Sequence, residues 1–421
     1  MHAIEKILAR AAGRPSVSTG EIVNCTVDIA GINDLYLQTV RSFYEMDGKK
    51  VSMPENVVMF LDHYAPASTI AQADNQRQFR EFCAKHGVEM LEDVNQGVCH
   101  QILADKGLAL PGSLMVITDS HTTTHGAFGA FGTGVGATDM AIILLTGKLW
   151  FRVPEVVRIH LEGTLRPGVF AKDVILHIIG KVKADWAVYK AVEFTGPALQ
   201  QFSVSERMCL CNMTTEMGAK TAYIQPDAIT MDFVKSKAAR PYEVVHTDPG
   251  YVYAEEISFD ITPIVPQVAA PSSVDNVDDL IRYAGTPVDQ AYIGTCTGGR
   301  LEDLAQAAKI LAGRTINPRT RLLVVPASKK VLLDAIEAGY LQTLVEAGGT
   351  FVTPGCAACL GTHLGLLAEG ETCITSSSRN FPGRMGHTKA KIFLGSPAAV
   401  AASALEGKIA DPTPYLSGKG V

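Results

Sequence analysis

The chain has 421 residues, of which 47% are hydrophobic and 19% charged, and its formal net charge is −6. This length and composition predict an ordinary soluble globular protein with several domains, and the acidic balance argues against a nucleic-acid partner. No stretch approaches eighteen consecutive apolar residues and the first residues lack the apolar run of a signal peptide, so we expect a cytoplasmic protein without a membrane partner. The stretch 10–18 is basic and rich in small residues, so a short organellar presequence remains an alternative.

The first region, residues 1–155, shows the rhythm of a parallel sheet covered by helices. ENVVMFLDHYAPA and SLMVITDSH are typical of strands, and the polar stretch QADNQRQFREFCAKHG between them is typical of a helix. Both strands end in polar clusters, Asp62-His63 and Asp119-Ser120-His121. Because ligands bind at the carboxyl ends of strands in open α/β sheets, we expect the two clusters to converge.

A second α/β domain is expected over residues 156–262. It opens with the strand pattern PEVVRIHLEG, followed by the apolar helix pattern AKDVILHIIGKV. In SERMCLCNMTTEMGA, Asn212 and Glu216 are four residues apart, so on a helix they would share one face and point into a cleft. A solvent-exposed helix face explains that spacing equally well.

A third α/β domain is expected over residues 263–421. The stretch 258–279 is rich in Pro, Ser and Ala and is typical of a linker. After it come the strand patterns QAYIGTCTGG and RLLVVPAS, a helix over 301–313, a further helix ending near residue 348, and the apolar run before PGCAACLG.

Nine cysteines, an odd number spread thinly along the chain, do not form the framework of a disulfide-rich protein. Most are expected to be small buried hydrophobes. Cys356 and Cys359 form a CxxC turn after one apolar run, and Cys296 follows another, so three thiols are expected at sheet ends. Thiolates bind iron-sulfur clusters and soft metals. A redox pair, a zinc site with Cys373 as a loose fourth ligand, and plain burial compete with a cluster.

Three thiolates would leave one iron of a cluster without a protein ligand and free to act as a Lewis acid toward a substrate hydroxyl and carboxylate. Two arginines in SSSRNFPGRMG, Arg379 and Arg384, are suited to fork-like pairing with carboxylates. Three histidines could donate protons, with carboxylates to orient their imidazole rings. The residues are Asp62, His63, His100, Asp119 and His121. His125 is expected to be an ordinary core or surface histidine.

Seven segments together resemble the aconitase superfamily, nearly end to end: GVCHQILADKGLALPGS, TDSHTTTHGAFGAFGTGVGATDMA, GKLWFRVPE, CNMTTEMGAKT, GTCTGGR, PGCAACLG and SRNFPGRMG. The resemblance is closest to the branch formed by large subunits of isopropylmalate dehydratases and their relatives. It implies an α/β fold of three α/β/α domains around an iron-sulfur cleft, without the swivelling fourth domain of single-chain members.

The resemblance also implies a 4Fe-4S cluster on Cys296, Cys356 and Cys359, with one iron lacking a protein ligand. Matched motif by motif, His63 with Asp62 is similar to the acid that protonates the leaving hydroxyl. The other implied roles are hydroxyl and water positioning by the pairs His100–Asp119 and His121–Glu216, substrate-carboxylate contacts by Ser120, Arg379 and Arg384, and a place near the cluster for Asn212.

The implied activity is that of a hydro-lyase that dehydrates and rehydrates a 2-hydroxy di- or tricarboxylic acid. The first expectation is the interconversion of 2- and 3-isopropylmalate in leucine biosynthesis, and the alternatives are homoaconitate, dimethylmalate and citramalate. The resemblance places the catalytic base on a serine of the swivelling domain. Because the sequence stops at Val421, we expect a separate small subunit of roughly 160–200 residues to carry it.

Three positions depart from the superfamily pattern. Gly298 and Ser378 stand where asparagines are customary, and Tyr36 follows the polar pair Asn33-Asp34 where a threonine is customary. Three rival functions remain open: an iron or redox sensor that keeps the cluster without turnover, an RNA-binding derivative of the same fold, and a zinc protein that uses the same three cysteines.

Overall fold

A computed structural model describes residues 1–416 of the chain. In its N-terminal part, helices and strands alternate in the order α1 Ala3–Ala11, β1 Ile22–Thr26, β2 Ile29–Asn33, α2 Leu37–Glu45, β3 Val57–Phe60, α3 Ile70–His86, β4 Met90–Glu92, α4 Cys99–Asp105, β5 Leu114–Ile117, β6 Phe131–Gly134, α5 Ala137–Thr146 and β7 Lys148–Arg152. Strands β1 and β7 form a separate antiparallel pair.

The N-terminal sheet is parallel and has the strand order β4-β3-β2-β5-β6. Strands β2, β3 and β5 are buried along their whole length, which explains why their sequences are apolar apart from Asn33 at the end of β2. The chain runs outward from β2 through β3 to β4 and then returns to β5 on the other side of β2. The crevice at such a switch point opens at the carboxyl ends of β2, β3 and β5.

The middle sheet is also parallel, with the strand order β10-β9-β8-β11. Its elements are β8 Val156–Glu162, α6 Ala171–Val182, β9 Ala191–Thr195, α7 Val204–Asn212, β10 Thr221–Ile224, α8 Ala228–Lys235 and β11 Glu255–Asp260. The expected single helix through Asn212 and Glu216 is wrong. Helix α7 ends at Asn212, and a 3₁₀ turn over Met213–Met217 follows it, stopped by Gly218 at φ 83°.

The C-terminal sheet has seven strands in the order β13-β12-β18-β17-β14-β15-β16. The elements are β12 Gln267–Ala269, β13 Val277–Asp279, β14 Gln290–Gly294, α9 Leu301–Leu311, β15 Arg321–Val325, α10 Lys329–Glu337, α11 Tyr340–Glu346, β16 Thr350–Phe351, β17 Thr372–Thr375, β18 Lys391–Leu394, α12 Pro397–Glu406 and α13 Thr413–Leu416. All neighbouring strands are parallel except the pairs that involve β12.

Two expectations for this part need correction. The stretch 258–279 is not a plain linker, because it contains the end of β11 and both β12 and β13. Both β12 and the edge strand β13 have three residues and lie among prolines, so they carry no periodic signal. The helix expected up to residue 348 is two helices, α10 and α11, because Gly339 takes a left-handed conformation at φ 74° between them.

The largest hydrophobic core cluster contains residues from all three sheets, including Ile117, Ile159 and Val325. The sheets are therefore packed against one another, and each lies within one of the three expected domain ranges. All nine cysteines are buried and free. Within residues 1–416, every helix is too short or too polar to cross a bilayer. The mixed α/β fold with parallel sheets confirms the predicted fold class.

Candidate active site

Polar side chains from four neighbouring strand ends meet in one buried cleft. Strand β3 leads directly into Asp62 and His63, and β5 leads into Asp119. From the C-terminal sheet, β14 leads into Cys296, and β17 leads into the turn that carries Arg379. The cleft thus lies where the carboxyl ends of parallel strands from two sheets face each other, as predicted.

His63 is 4% exposed and is held from two sides. Its Nδ1 lies 2.7 Å from Asp62 Oδ1, and its backbone N–H donates to Asp34 Oδ1 at 3.0 Å. Asp62 also accepts from the Cys99 backbone N–H at 3.0 Å, so the carboxylate that orients the imidazole is itself fixed. Burial lowers the pKa of His63, but the neighbouring Cys356 and Asp62 and the hydrogen bonds to Asp34 and Asp62 raise it well above its ordinary value.

Asp119 connects three histidines. Its Oδ1 lies 3.2 Å from His100 Nε2 and accepts from the His121 backbone N–H at 2.8 Å, while its Oδ2 lies 3.8 Å from His63 Nε2. Burial raises the pKa of Asp119, yet hydrogen bonds from His100 and His121 outweigh burial and hold this pKa well below its ordinary range. Asp119 is therefore ionised and orients both imidazoles.

Glu216 joins the middle sheet region to the cleft. Its Oε1 lies 2.9 Å from His121 Nε2 and accepts from Arg379 Nε at 2.8 Å. Although burial raises the pKa of Glu216, the contacts with His121 and Arg379 lower it on balance. Ser120, the residue after Asp119, is exposed and lines a cavity of about 310 Å³ together with Tyr36.

The three predicted cluster cysteines are between 6% and 8% exposed, and each has a donor beside it. Asn212 Nδ2 donates to Cys296 Sγ at 3.2 Å, and Arg384 Nη2 donates to Cys359 Sγ at 3.7 Å. Burial raises the pKa of Cys356 to about 12, while His63 beside it works in the opposite direction. Burial also raises the pKa of Cys296, and the neighbouring Cys359, Asp119 and Cys356 raise it further, which places the three thiols in the same region of the cleft.

The spacing of these thiols fits a cluster better than a single ion. Two sulfurs on one zinc ion, each at about 2.3 Å, lie at most about 4.6 Å apart. Among the described residues, the groups of three ligand atoms within 4.8 Å of one another do not include the three cysteines. That absence disfavours one zinc ion shared by the three thiols and leaves the larger iron-sulfur cluster as the better candidate.

Buried polar atoms around the thiols also indicate a missing polar neighbour. His100 Nδ1, Asn212 Oδ1 and Arg384 Nε are buried and make no hydrogen bond to any residue of the described range. Native proteins rarely leave such atoms unpaired. The side chains that donate to the thiols and these unpaired polar atoms therefore suit an iron-sulfur cluster with a polar ligand beside it.

Gly298, one of the departures from the superfamily pattern, is required by packing. A Cβ at this position would lie 2.3 Å from both the Cβ and the Oγ of Ser376. The hydroxyl of Ser376 in turn accepts from the Gly294 backbone N–H at 3.0 Å. No side chain fits at residue 298 unless the turn that carries Cys296 moves.

The structure adds residues that the sequence did not identify. Asn33 is fully buried at the end of β2, and neither amide atom finds a partner between residues 1 and 416. Cys99 offers a sulfur atom that lies within 4.8 Å of ligand atoms of His100 and Asp119. His125 is buried with its ring 5.5 Å from that of His100. The sequence marked Asn33 only as part of the polar pair Asn33-Asp34 and gave no sign that its side chain would be buried without a partner.

The model of the aconitase family (aconitate hydratase) matches residues 5–284 and 278–407. The chain belongs to the aconitase family. This aconitase-family chain is 47% identical to a 3-isopropylmalate dehydratase large subunit of Methanopyrus kandleri, over 98% of this chain and 99% of that protein. It is 50% identical to a probable methanogen homoaconitase large subunit of Methanosarcina mazei, over 92% of this chain and 98% of that protein.

Among solved structures, the aconitase-family chain is similar in fold to aconitase X of Thermococcus kodakaraensis in its holo form. The TM-score is 0.51 at 15% sequence identity, with 90% of both chains covered. The resemblance to the aconitase superfamily and the aconitase-like α/β fold are thus confirmed.

Proposed function

We propose that this chain is the large subunit of a 3-isopropylmalate dehydratase, a hydro-lyase that interconverts 2- and 3-isopropylmalate in leucine biosynthesis. The proposal is supported by relatives of that description in Methanopyrus kandleri, Aquifex aeolicus and Pyrococcus furiosus at 42–47% identity over at least 97% of this chain. The second candidate is a homoaconitase large subunit, which the 50% identity to the Methanosarcina mazei protein favours.

The observation that carries the proposal is the convergence of three buried thiols with three carboxylate-oriented imidazoles. Cys296, Cys356 and Cys359 would hold a 4Fe-4S cluster. When bound through three thiolates, such a cluster supplies a Lewis-acidic iron without a protein ligand. Asn212 and Arg384 donate to two of the sulfurs and would stabilise the thiolates.

His63 is the proposed general acid. Because Nδ1 faces Asp62, the proton available to the substrate is the one on Nε2. The Asp62 carboxylate on Nδ1 favours the protonated imidazole, which is the form that an acid needs to protonate a departing hydroxyl. The pairs His100–Asp119 and His121–Glu216 would hold the hydroxyl and the water in place.

The substrate carboxylates would bind to the residues that keep free donors at the cleft. Arg379 and Arg384 supply guanidinium groups, and Ser120 supplies a hydroxyl at the mouth. The unpaired amide of Asn33 is a further candidate, because a substrate oxygen would satisfy a buried donor that otherwise costs free energy.

Dehydration also needs a base that removes a weakly acidic proton from the carbon beside a carboxylate. We infer that a small subunit supplies this base, because the relatives with known descriptions are large subunits that align with this chain over 96–99% of their own length. That subunit would also shape the pocket for the substrate side chain. Nine free thiols suit a reducing compartment, so a cytoplasmic location remains part of the proposal.

The test is a turnover assay of the anaerobically reconstituted chain with its small subunit on isopropylmalate, homoaconitate, dimethylmalate, citramalate and citrate. Turnover of isopropylmalate with the highest kcat/KM is expected. A higher kcat/KM with homoaconitate selects the second candidate. A chain that carries the cluster and turns over none of the five would be a sensor, and the hydro-lyase proposal would fail.

A further inference from the structure

Lys172 is a buried cation next to the thiol site. It is the second residue of α6 and is 2% exposed, although most lysines of ordinary proteins lie in solvent. Its Nζ donates to two backbone carbonyls, those of Ser376 at 3.1 Å and Ser377 at 2.7 Å. The lysine belongs to the middle sheet region and the carbonyls belong to the C-terminal sheet region, so the contact joins the two.

The two carbonyls lie in the turn that precedes Arg379 and contacts the turn that carries Cys296. Ser376 O also accepts from Thr297 Oγ1 at 2.8 Å, and Thr297 follows Cys296 directly. Arg379 comes three residues after Ser376 and pairs with Glu216. The ammonium of Lys172 therefore ties the turn before Arg379 to the turn that carries a cluster cysteine.

The thiol groups near Lys172 would stabilise its positive charge once two of them bind the proposed cluster as thiolates. Burial lowers the pKa of Lys172, whereas the thiol groups of Cys209, Cys296 and Cys359 and the carboxylate of Asp303 act against this lowering. A buried ammonium is costly unless it is hydrogen-bonded and paired with negative charge. Two thiols of the proposed cluster are among the groups that would provide that charge.

We propose that Lys172 is a positioning residue for the cluster and the substrate turn. Its ammonium serves as a buried countercharge that favours the reduced, more negative form of the cluster, and its hydrogen bonds hold the 376–379 turn in register with the Cys296 turn. The inference rests on the proposed cluster. Removal of the charge is expected to shift the reduction potential of the cluster to more negative values, because reduction adds negative charge near this site.

The experiment compares three substitutions in the anaerobically reconstituted full chain. Lys172→Met removes the charge and the donor, Lys172→Gln removes the charge and keeps a donor, and Lys172→Arg keeps both. Lys181→Met, an exposed lysine of the same helix, is the matched control. The readout is the midpoint potential of the 2+/1+ couple, followed by EPR during a redox titration, together with KM and kcat of the complex with the small subunit.

We expect a more negative potential in Lys172→Met and Lys172→Gln, with wild-type values in Lys172→Arg and Lys181→Met. KM should rise about tenfold or more in Lys172→Met, because the turn before Arg379 loses its anchor, and less in Lys172→Gln. If Lys172→Met does not fold, Lys172→Gln and Lys172→Arg still compare a protein without the buried charge with one that keeps it. Equal potentials in wild type and Lys172→Gln would overturn the inference, whereas a wild-type protein without any cluster signal would overturn the proposed function itself.

Discussion

Replacement of His63 by Asn should lower kcat by roughly a hundredfold or more while the cluster stays intact. The imidazole is 4% exposed and its Nδ1 lies 2.7 Å from Asp62, so it is already oriented before the substrate binds, and the Asp62 carboxylate favours its protonated form. A positioned proton donor contributes about 10²–10⁴ to the rate. The lower end of that range corresponds to about 2.7 kcal/mol of the activation barrier. Asn keeps a polar side chain of similar size but cannot donate an acidic proton.

The assay is steady-state dehydration by the complex with the small subunit, with iron content and absorbance measured on the same samples. His160→Asn is the matched control, because His160 is a partly exposed histidine of β8 that contacts Thr195. We expect a control kcat within about twofold of wild type. A His63→Asn enzyme with full cluster content and a kcat within threefold of wild type would remove His63 from the acid role.

Two further substitutions test other parts of the structure. Arg384→Lys should raise KM roughly tenfold to a hundredfold with the cluster retained, since a point charge cannot replace the planar, two-pronged guanidinium group. In the same steady-state kinetics, the control Arg282→Lys on the surface should leave KM unchanged. Asp227→Ala should lower the free energy of unfolding by about 3 kcal/mol, because the fully buried side chain of Arg207 loses its ion pair. The measurement is denaturant unfolding, and the control Asp232→Ala should show no such loss. The pKa of Asp227 is lowered to about 2, from an ordinary value near 3.8, so this stability should be complete above about pH 4 and lost as the pH falls toward 2. Equal stability of Asp227→Ala and wild type at pH 7 would contradict the ion-pair argument, as would an unchanged KM in Arg384→Lys for the carboxylate contact.

The positions of Asp62, His63 and Asp119 were predictable because each follows an unbroken apolar strand. Polar residues at that point of a parallel sheet must face its carboxyl edge, whatever the rest of the fold. The position of Cys296, two residues after β14, followed from the same rule. The local sequence pattern is sufficient to place a site residue wherever a strand fixes the direction of the residue that follows it.

Contacts between distant segments were not predictable from local pattern. Lys172 in AKDVIL reads as a solvated residue of an amphipathic helix, and only the packing of α6 against the C-terminal sheet buries it. The change from α-helix to 3₁₀ turn after Asn212 depends on Gly218 and on contacts with the cleft. Strands β12 and β13 are too short for a periodic signal and form because neighbouring strands supply hydrogen-bond partners.

The cluster assignment is tested most directly by the iron and sulfide content of the anaerobically reconstituted chain and its single Cys→Ser variants. Wild type, Cys25→Ser and Cys83→Ser should each contain about four iron and four sulfide ions per chain and be brown. Cys296→Ser, Cys356→Ser and Cys359→Ser should each lose the colour and most of the iron, because a cubane held by two thiolates is labile. A colourless wild-type protein that contains zinc, or five variants that all keep the full iron content, would contradict the assignment.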